Sequence, residues 1–181
     1  LEGQALPLIA GALLFILAVG LGVAAVTGYM AGLIGASNSP LSGVGILAVL
    51  ASAALLLGLF GRAADPQSTR ALVAYALAVT GIVFGVATIA NDNLQDLKTG
   101  QLVGATPWKQ QVALIVGVAF GSVIIPPVLN LLGASFGFAG APGAGPNALA
   151  APQAGLISAL ARGVLTGDAN WRMLGWGAAA G

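Results

Sequence analysis

The amino-acid sequence predicts an all-α fold: a partial polytopic transmembrane helical bundle. Three observations predict it. Hydrophobic residues make up 58% of the 181 and charged residues only 6%, where a soluble domain carries ~25% charged residues. No charge falls between Gly3 and Gly61. The apolar runs are also long and continuous, unlike the ~10-residue alternating segments of a transmembrane barrel. The pattern reads as about four spans and the start of a fifth, with one broken or re-entrant element and one interfacial helix.

The stretch from Gly3 to Gly61 would span roughly 90 Å as one helix, about three times the ~30 Å hydrocarbon core. It must break, and Ser37-Asn38-Ser39-Pro40 is its polar cluster. A first helix is predicted over 7–36, opened by Pro7. That is longer than a tilt of ~20° absorbs, and Gly28, Gly32 and Gly35 are weak helix positions, so the helix is expected to unwind or kink near Gly28–Gly35. A second helix runs over 40–61, with Ser39 as N-cap and Pro40 at its first position. Arg62–Arg70 is a polar loop. Asp65-Pro66 repeats the cap-and-proline start and opens a third helix over 66–90, with Arg70 placed to snorkel to the headgroups.

Asn91–Gln111 is the sizeable polar segment. Asp92 caps an expected interfacial helix over 92–99, given a partial apolar face by Leu94, Leu97 and Leu102. Lys98 suits its last turn and Gly100 its end. Thr106-Pro107 opens a fourth helix over 107–132, with Trp108 and Lys109 as interfacial anchors. Pro126-Pro127 should kink or end it, leaving Asn130 to cap freed carbonyls. A Gly/Pro/Ala linker over 133–155 overlaps a short helix over 153–166, closed by Gly167-Asp168, and Trp171 begins a truncated span. Glycine pairs such as Gly28/Gly32, Gly81/Gly85 and Gly117/Gly121 suggest close helix packing. With no initiator Met and an unfinished last span, the chain reads as a piece of a larger membrane protein. Leu1–Leu6 lacks the basic n-region of a signal peptide.

Several function classes are excluded. A net charge of +1 gives no footprint for nucleic acid. There is no cysteine and no histidine, which removes disulfides, thiolate chemistry, imidazole metal ligands and the usual general base. The serines of GASNSPLSG superficially suit an intramembrane serine protease, but that chemistry needs a base. No Walker A pattern indicates an ATP-driven pump. No enzyme, no cofactor and no metal site is expected. With four full spans, Arg62, Arg70, Arg162 and Arg172 share one side and Lys98 and Lys109 the other, which favours the arginine side as cytoplasmic if the SNSP element crosses the membrane.

GASNSPLSG (Gly35–Gly43), QDLKTGQLVGATPWKQQ (Gln95–Gln111) and LAAPQA (Leu149–Ala154) together resemble the oligopeptide transporter (OPT) family, in its bacterial and archaeal branch, related to the yellow stripe-like transporters. The resemblance spans residues 35 to 154. It implies that residues 1–181 are part of a single membrane transporter domain several times longer, towards its C-terminal side. It also implies a secondary active transporter: proton-coupled symport of small peptides or peptide-like metal chelates, in a multi-pass protein of the inner or plasma membrane. Trp108 departs from the Arg that relatives often carry after the proline.

A broken transporter helix offers freed backbone groups and helix-end dipoles to a substrate. Ser37, Asn38, Ser39, Leu41, Ser42 and Gly43 are therefore the substrate-pathway candidates, with an anionic group held at the positive end of the second helix; the same cluster also reads as a plain interfacial turn. Asp92, Asp96 and Lys98 are the gating or coupling candidates, or a solvated face. The expected partners are a small peptide or metal-chelate substrate, the lipid bilayer and the remainder of the same polypeptide. Homo-oligomerisation through the glycine pairs is the weaker reading of them. The alternative from another class is a non-transporting structural subunit of a membrane complex.

Overall fold

A computed structural model describes residues 5–62, 65–141 and 143–180. The expectations for 1–4, for Ala63 and Ala64 in the polar loop, for Pro142 in the linker and for Gly181 fall outside the described residues. The elements are α1 (Ala5–Ile34), a 3-10 turn (Ala36–Asn38), α2 (Leu41–Phe60), α3 (Pro66–Val103), α4 (Pro107–Ser135), α5 (Pro152–Thr166) and α6 (Trp171–Ala180). Four helices, α1 to α4, are long and apolar enough to cross a membrane. Among the described residues there is no strand, only a single parallel bridge between Phe138 and Leu149. The chain is therefore part of a polytopic all-α bundle.

The helix ends follow local chemistry. α2 stops at Gly61, whose φ of 69° suits only glycine comfortably and whose N–H bonds the Leu57 carbonyl at 2.9 Å. Asp65 caps α3. Its Oδ1 accepts the Gln67 and Ser68 N–H groups, both at 2.9 Å, and its Oδ2 accepts the Ser68 hydroxyl at 2.6 Å. The Ser68 hydroxyl first, and then the Ser68 and Gln67 amides, hold this carboxyl below its usual 3.8. A carboxyl depressed in the folded state contributes stability above its unfolded pKa and loses it as pH falls through the folded one. Acidification through and below pH 3.8 is thus expected to lower the thermal midpoint. Asp65→Asn should remove that part of the pH dependence, and identical acid titrations of the two proteins would contradict the cap.

Three expectations about the elements are corrected. Residues 92–99 are not a separate interfacial helix; they are late turns of α3, which runs unbroken for 38 residues, roughly 57 Å. Asp92 is an internal exposed residue there, not a cap, and Gly100 does not end the helix, which stops at Val103 before Gly104 (φ 71°). The physical reason is packing. A Cβ on Gly28 of α1 would lie 3.2 Å from Leu94 Cγ and 3.5 Å from the Ala90 carbonyl oxygen, so the continuing turns of α3 run against α1 at this point, although Leu94 itself stays partly exposed. For the same reason Gly28 does not unwind α1, which holds to Ile34, so the unwinding expected over Gly28–Gly35 comes only at its last position, Gly35. Pro126 and Pro127 lie inside α4 without ending it. The ladder resumes beyond them to Phe136 N–H on the Leu132 carbonyl at 3.0 Å, which leaves Asn130 an exposed residue within the helix.

The glycine pairs serve packing less than expected. A Cβ at Gly32, Gly81, Gly85 or Gly117 would meet nothing within 4 Å, so of the three quoted pairs only Gly28 marks a close helix approach. Gly32 and Gly117 border hollows rather than close helix contacts.

The chain forms two compact units. The first holds α1 up to Val23, Pro40–Ala87 and the chain from Leu156 onwards. Its core joins Val49, Ala53 and Leu56 of α2, Leu72, Val73 and Ala76 of α3, and Ala161, Val164 and Leu165 of α5. The Ser52 and Thr80 hydroxyls meet at 3.1 Å within it, satisfying two buried polar groups between α2 and α3. Tyr75 donates its hydroxyl to the Leu8 carbonyl. The second unit holds Ala24–Ser39 and Thr88–Gly155. In it the segment expected as a linker is built into a loop: Ala139 N–H bonds the Leu149 carbonyl at 2.8 Å and Leu149 N–H the Gly137 carbonyl at 2.9 Å.

Candidate functional site

The polar cluster of the uncharged run is a true interruption. Gly35 takes φ 84° and ψ 156°, a conformation open to glycine, and so ends α1. Asn38 N–H bonds the Gly35 carbonyl at 3.3 Å and Ser39 N–H the Ala36 carbonyl at 3.2 Å, making one 3-10 turn. The Asn38 side-chain amide donates to the Ile34 carbonyl at 3.1 Å. It therefore caps the C-terminal end of α1, whose last turn carries no basic residue. Ser37 is exposed.

Ser39 does not cap α2. The N-cap is Pro40, with no side-chain cap bond, and the Ser39 hydroxyl oxygen is buried without a hydrogen-bond partner among the described residues. An orphaned buried hydroxyl is unusual and calls for a reason. At the start of α2 the first amide to bond back is Val44, to the Pro40 carbonyl at 3.0 Å. The amides of Leu41, Ser42 and Gly43 precede it and have no intrahelical acceptor. Ser42 and Gly43 are exposed, and no acidic residue lies in this first turn, so the positive end of the helix dipole is not offset by its own sequence.

In the second unit, α3 reaches the interruption with a residue that charge-based reading passes over. Gln95 Oε1 accepts the Ala36 N–H at 2.9 Å, satisfying an amide that the end of α1 frees. Gln95 opens the QDLK motif, and it lies one turn beyond Asn91 and next to Leu94 on a helix that packs on Gly28; that i, i+4 spacing was the available signal. Asn91 is 1% exposed and its side-chain oxygen has no partner among the described residues.

The gating candidates separate. Asp96 borders a cavity of about 1010 Å³ between the end of α3 and α4, with Thr99, Gln110 and Ser122 as its other polar side chains. Lys98 lines a different hollow of about 550 Å³ and donates to Gln101 Oε1 at 3.1 Å. Two residues apart on a helix, Asp96 and Lys98 do not face each other. Asp92 is exposed on α3. The Gln110 amide fills the space over Gly100, where any Cβ would overlap it. Among the described residues no group of histidine, cysteine, aspartate or glutamate could hold a metal ion.

Comparison with known proteins supplies the context. The family model "OPT oligopeptide transporter protein" matches residues 4–181. A Haemophilus influenzae protein named "Putative oligopeptide transporter" is 47% identical over 161 residues, covering 84% of this chain and 25% of the relative. Two rice proteins named "Probable metal-nicotianamine transporter", YSL10 and YSL12, are 40% and 35% identical over 40% and 49% of this chain, and 11% and 12% of their own lengths. The chain thus spans about a quarter of the bacterial relative it matches. No solved structure matches it.

Proposed function

The chain belongs to the oligopeptide transporter family, and from that premise we propose that it forms part of a secondary active transporter for small peptides or peptide-like metal chelates. The observation that carries the reading is the interruption between α1 and α2. It leaves the amides of Leu41, Ser42 and Gly43 at a positive helix end and, separately, a buried Ser39 hydroxyl without a hydrogen-bond partner among the described residues. Each by itself suits a carboxylate such as that of a peptide or chelate. The names of the bacterial and rice relatives support the two substrate classes. The protein works as a multi-pass component of the cell membrane, and proton symport is the coupling that the family resemblance favours. Asp96, which borders the cavity between α3 and α4, is the better placed acid for it than Asp92.

Ser39 and Asn38 separate substrate contact from helix capping. In the full-length protein, Ser39→Ala is expected to raise the KM for uptake into proteoliposomes about two- to tenfold, from the ~0.5–1.5 kcal/mol of one hydrogen bond, with no loss of thermal stability. Asn38→Ala is expected to lower stability, because it frees the Ile34 carbonyl. Unchanged uptake kinetics in Ser39→Ala would sink the substrate role of this element. Proteoliposomes with no substrate-dependent uptake at all would sink the transporter reading.

A further inference from the structure

The first unit carries a cleft of about 610 Å³ beside the cap of α3. Arg70 of α3 and Arg162 of α5 line it together with Asp65, Thr69 and Thr166, and Val73, Ala74 and Leu77 supply apolar lining. Both arginines are exposed, and neither has an ion-pair partner among the described residues. Two acids lie close, Asp65 in the cleft lining itself, and their oxygens are taken up by local hydrogen bonds, which leaves the two guanidinium groups in excess over the one lining carboxylate. Asp65 spends its oxygens on the Gln67 and Ser68 amides and the Ser68 hydroxyl, and Asp168 accepts the Thr166 hydroxyl at 2.8 Å. A third arginine, Arg62, is accounted for: its guanidinium lies over Gly167, about 2.8 Å from where a Cβ would stand, at the C-terminal end of α5 that favours a cation.

We infer that this cleft binds an anionic phospholipid, its phosphate held between Arg70 and Arg162 and the start of its acyl chain lying against Val73, Ala74 and Leu77. The charge pattern selects the class. Two unpaired guanidinium groups match a phosphate bidentately, and the wall below them is apolar. Arg70 lies one turn into a helix that is long and apolar enough to span, which is where basic side chains meet headgroups. A soluble anion would gain nothing from the apolar wall, so a lipid fits the cleft better than free phosphate. The inference does not depend on what the protein transports.

The test uses the full-length protein in mild detergent. Short-chain phosphatidylglycerol is titrated against thermal stability, with short-chain phosphatidylcholine and inorganic phosphate as controls. The wild type is expected to be stabilised by phosphatidylglycerol alone. Arg70→Gln with Arg162→Gln should shift the half-maximal concentration upward by about 25-fold, about fivefold for each arginine at ~1 kcal/mol per basic group. Arg70→Lys with Arg162→Lys keeps the charge and should keep most of the response. Equal stabilisation of the glutamine variant would overturn the site, and so would equal stabilisation by phosphatidylcholine or by phosphate. No response in the wild type would also overturn it, since it would mean that the rest of the polypeptide covers the cleft. If the glutamine variant does not fold, the wild type decides: anionic lipid that co-purifies and is displaced by high salt supports the site, and its absence overturns it.

Discussion

Gly28→Leu in the full-length protein is expected to cost ~1–3 kcal/mol, towards the upper end of what overpacking imposes, and to lower the yield of monodisperse protein. A first added carbon would already stand 3.2 Å from Leu94 Cγ and 3.3 Å from its Cδ2. A leucine side chain can turn away from that. The Ala90 carbonyl oxygen at 3.5 Å cannot, since it is α3 backbone. Gly28→Ala should therefore be mild, and milder still when combined with Leu94→Ala, because the nearest two contacts are both Leu94. Leucine leaves no such escape. Fluorescence-detected size-exclusion after heating checks the order wild type, Gly28→Ala, Gly28→Leu. A Gly28→Leu protein as stable as the wild type would mean that α1 and α3 do not pack at this point.

The same contact explains which parts of the fold were legible in the sequence. Composition and uncharged length are enough to call for several spanning helices and a break, because they state how much apolar chain water cannot cover. Cap-and-proline pairs mark where α3 and α4 start, although only the first acts through a side-chain cap: Thr106 precedes Pro107 without such a bond. Asp65 behaves as that reading requires. The end of α3 was not legible. Asn91–Val103 holds enough polar residues to read as a surface segment, and only a second helix laid against Leu94 and Ala90 makes it the tail of a span. Glycine shows the converse. A pair at i, i+4 says that a close approach is open to the chain, not that a partner is there, and at Gly81, Gly85 and Gly117 none is.

The candidate site was legible in place but not in its chemistry. Ser37-Asn38-Ser39-Pro40 had to hold the break, and Gly35 with the 3-10 turn holds it there. Which polar atoms stay available depends on how the turn folds, which composition does not state. Asn38 is occupied by the Ile34 carbonyl four residues back, whereas the Ser39 hydroxyl has no partner among the described residues. The charged residues of Gln95–Gln111 drew attention because charge in an apolar chain is rare, yet the group that reaches the break is the neutral Gln95. An exposed carboxylate is content with water; an amide freed at the end of a helix is not, and it recruits a neighbour.

Gln95→Leu follows from that distinction and carries the larger functional consequence. The Ala36 N–H has one acceptor, Gln95 Oε1 at 2.9 Å. Leucine keeps the bulk and removes the acceptor of an exposed bond, so the loss costs the ~0.5–1.5 kcal/mol of one hydrogen bond, or the turn rearranges to find another partner. Either way the interruption loses the strut that ties it to α3. If the element belongs to the transport pathway, uptake by the full-length protein should fall about tenfold, the equivalent of ~1.4 kcal/mol. Gln95→Glu separates this from simple loss of bulk or polarity. A carboxylate still accepts from the amide, in a charge-assisted bond at least as strong, so uptake should stay within about threefold of the wild type if accepting that one bond is what the residue does. Uptake measured per reconstituted molecule, beside the thermal midpoint, divides the outcomes. A fall in stability with uptake per molecule unchanged makes Gln95 a brace for the turn and removes the turn from the pathway. A loss of uptake with Leu that Glu restores ties transport to the geometry of the break.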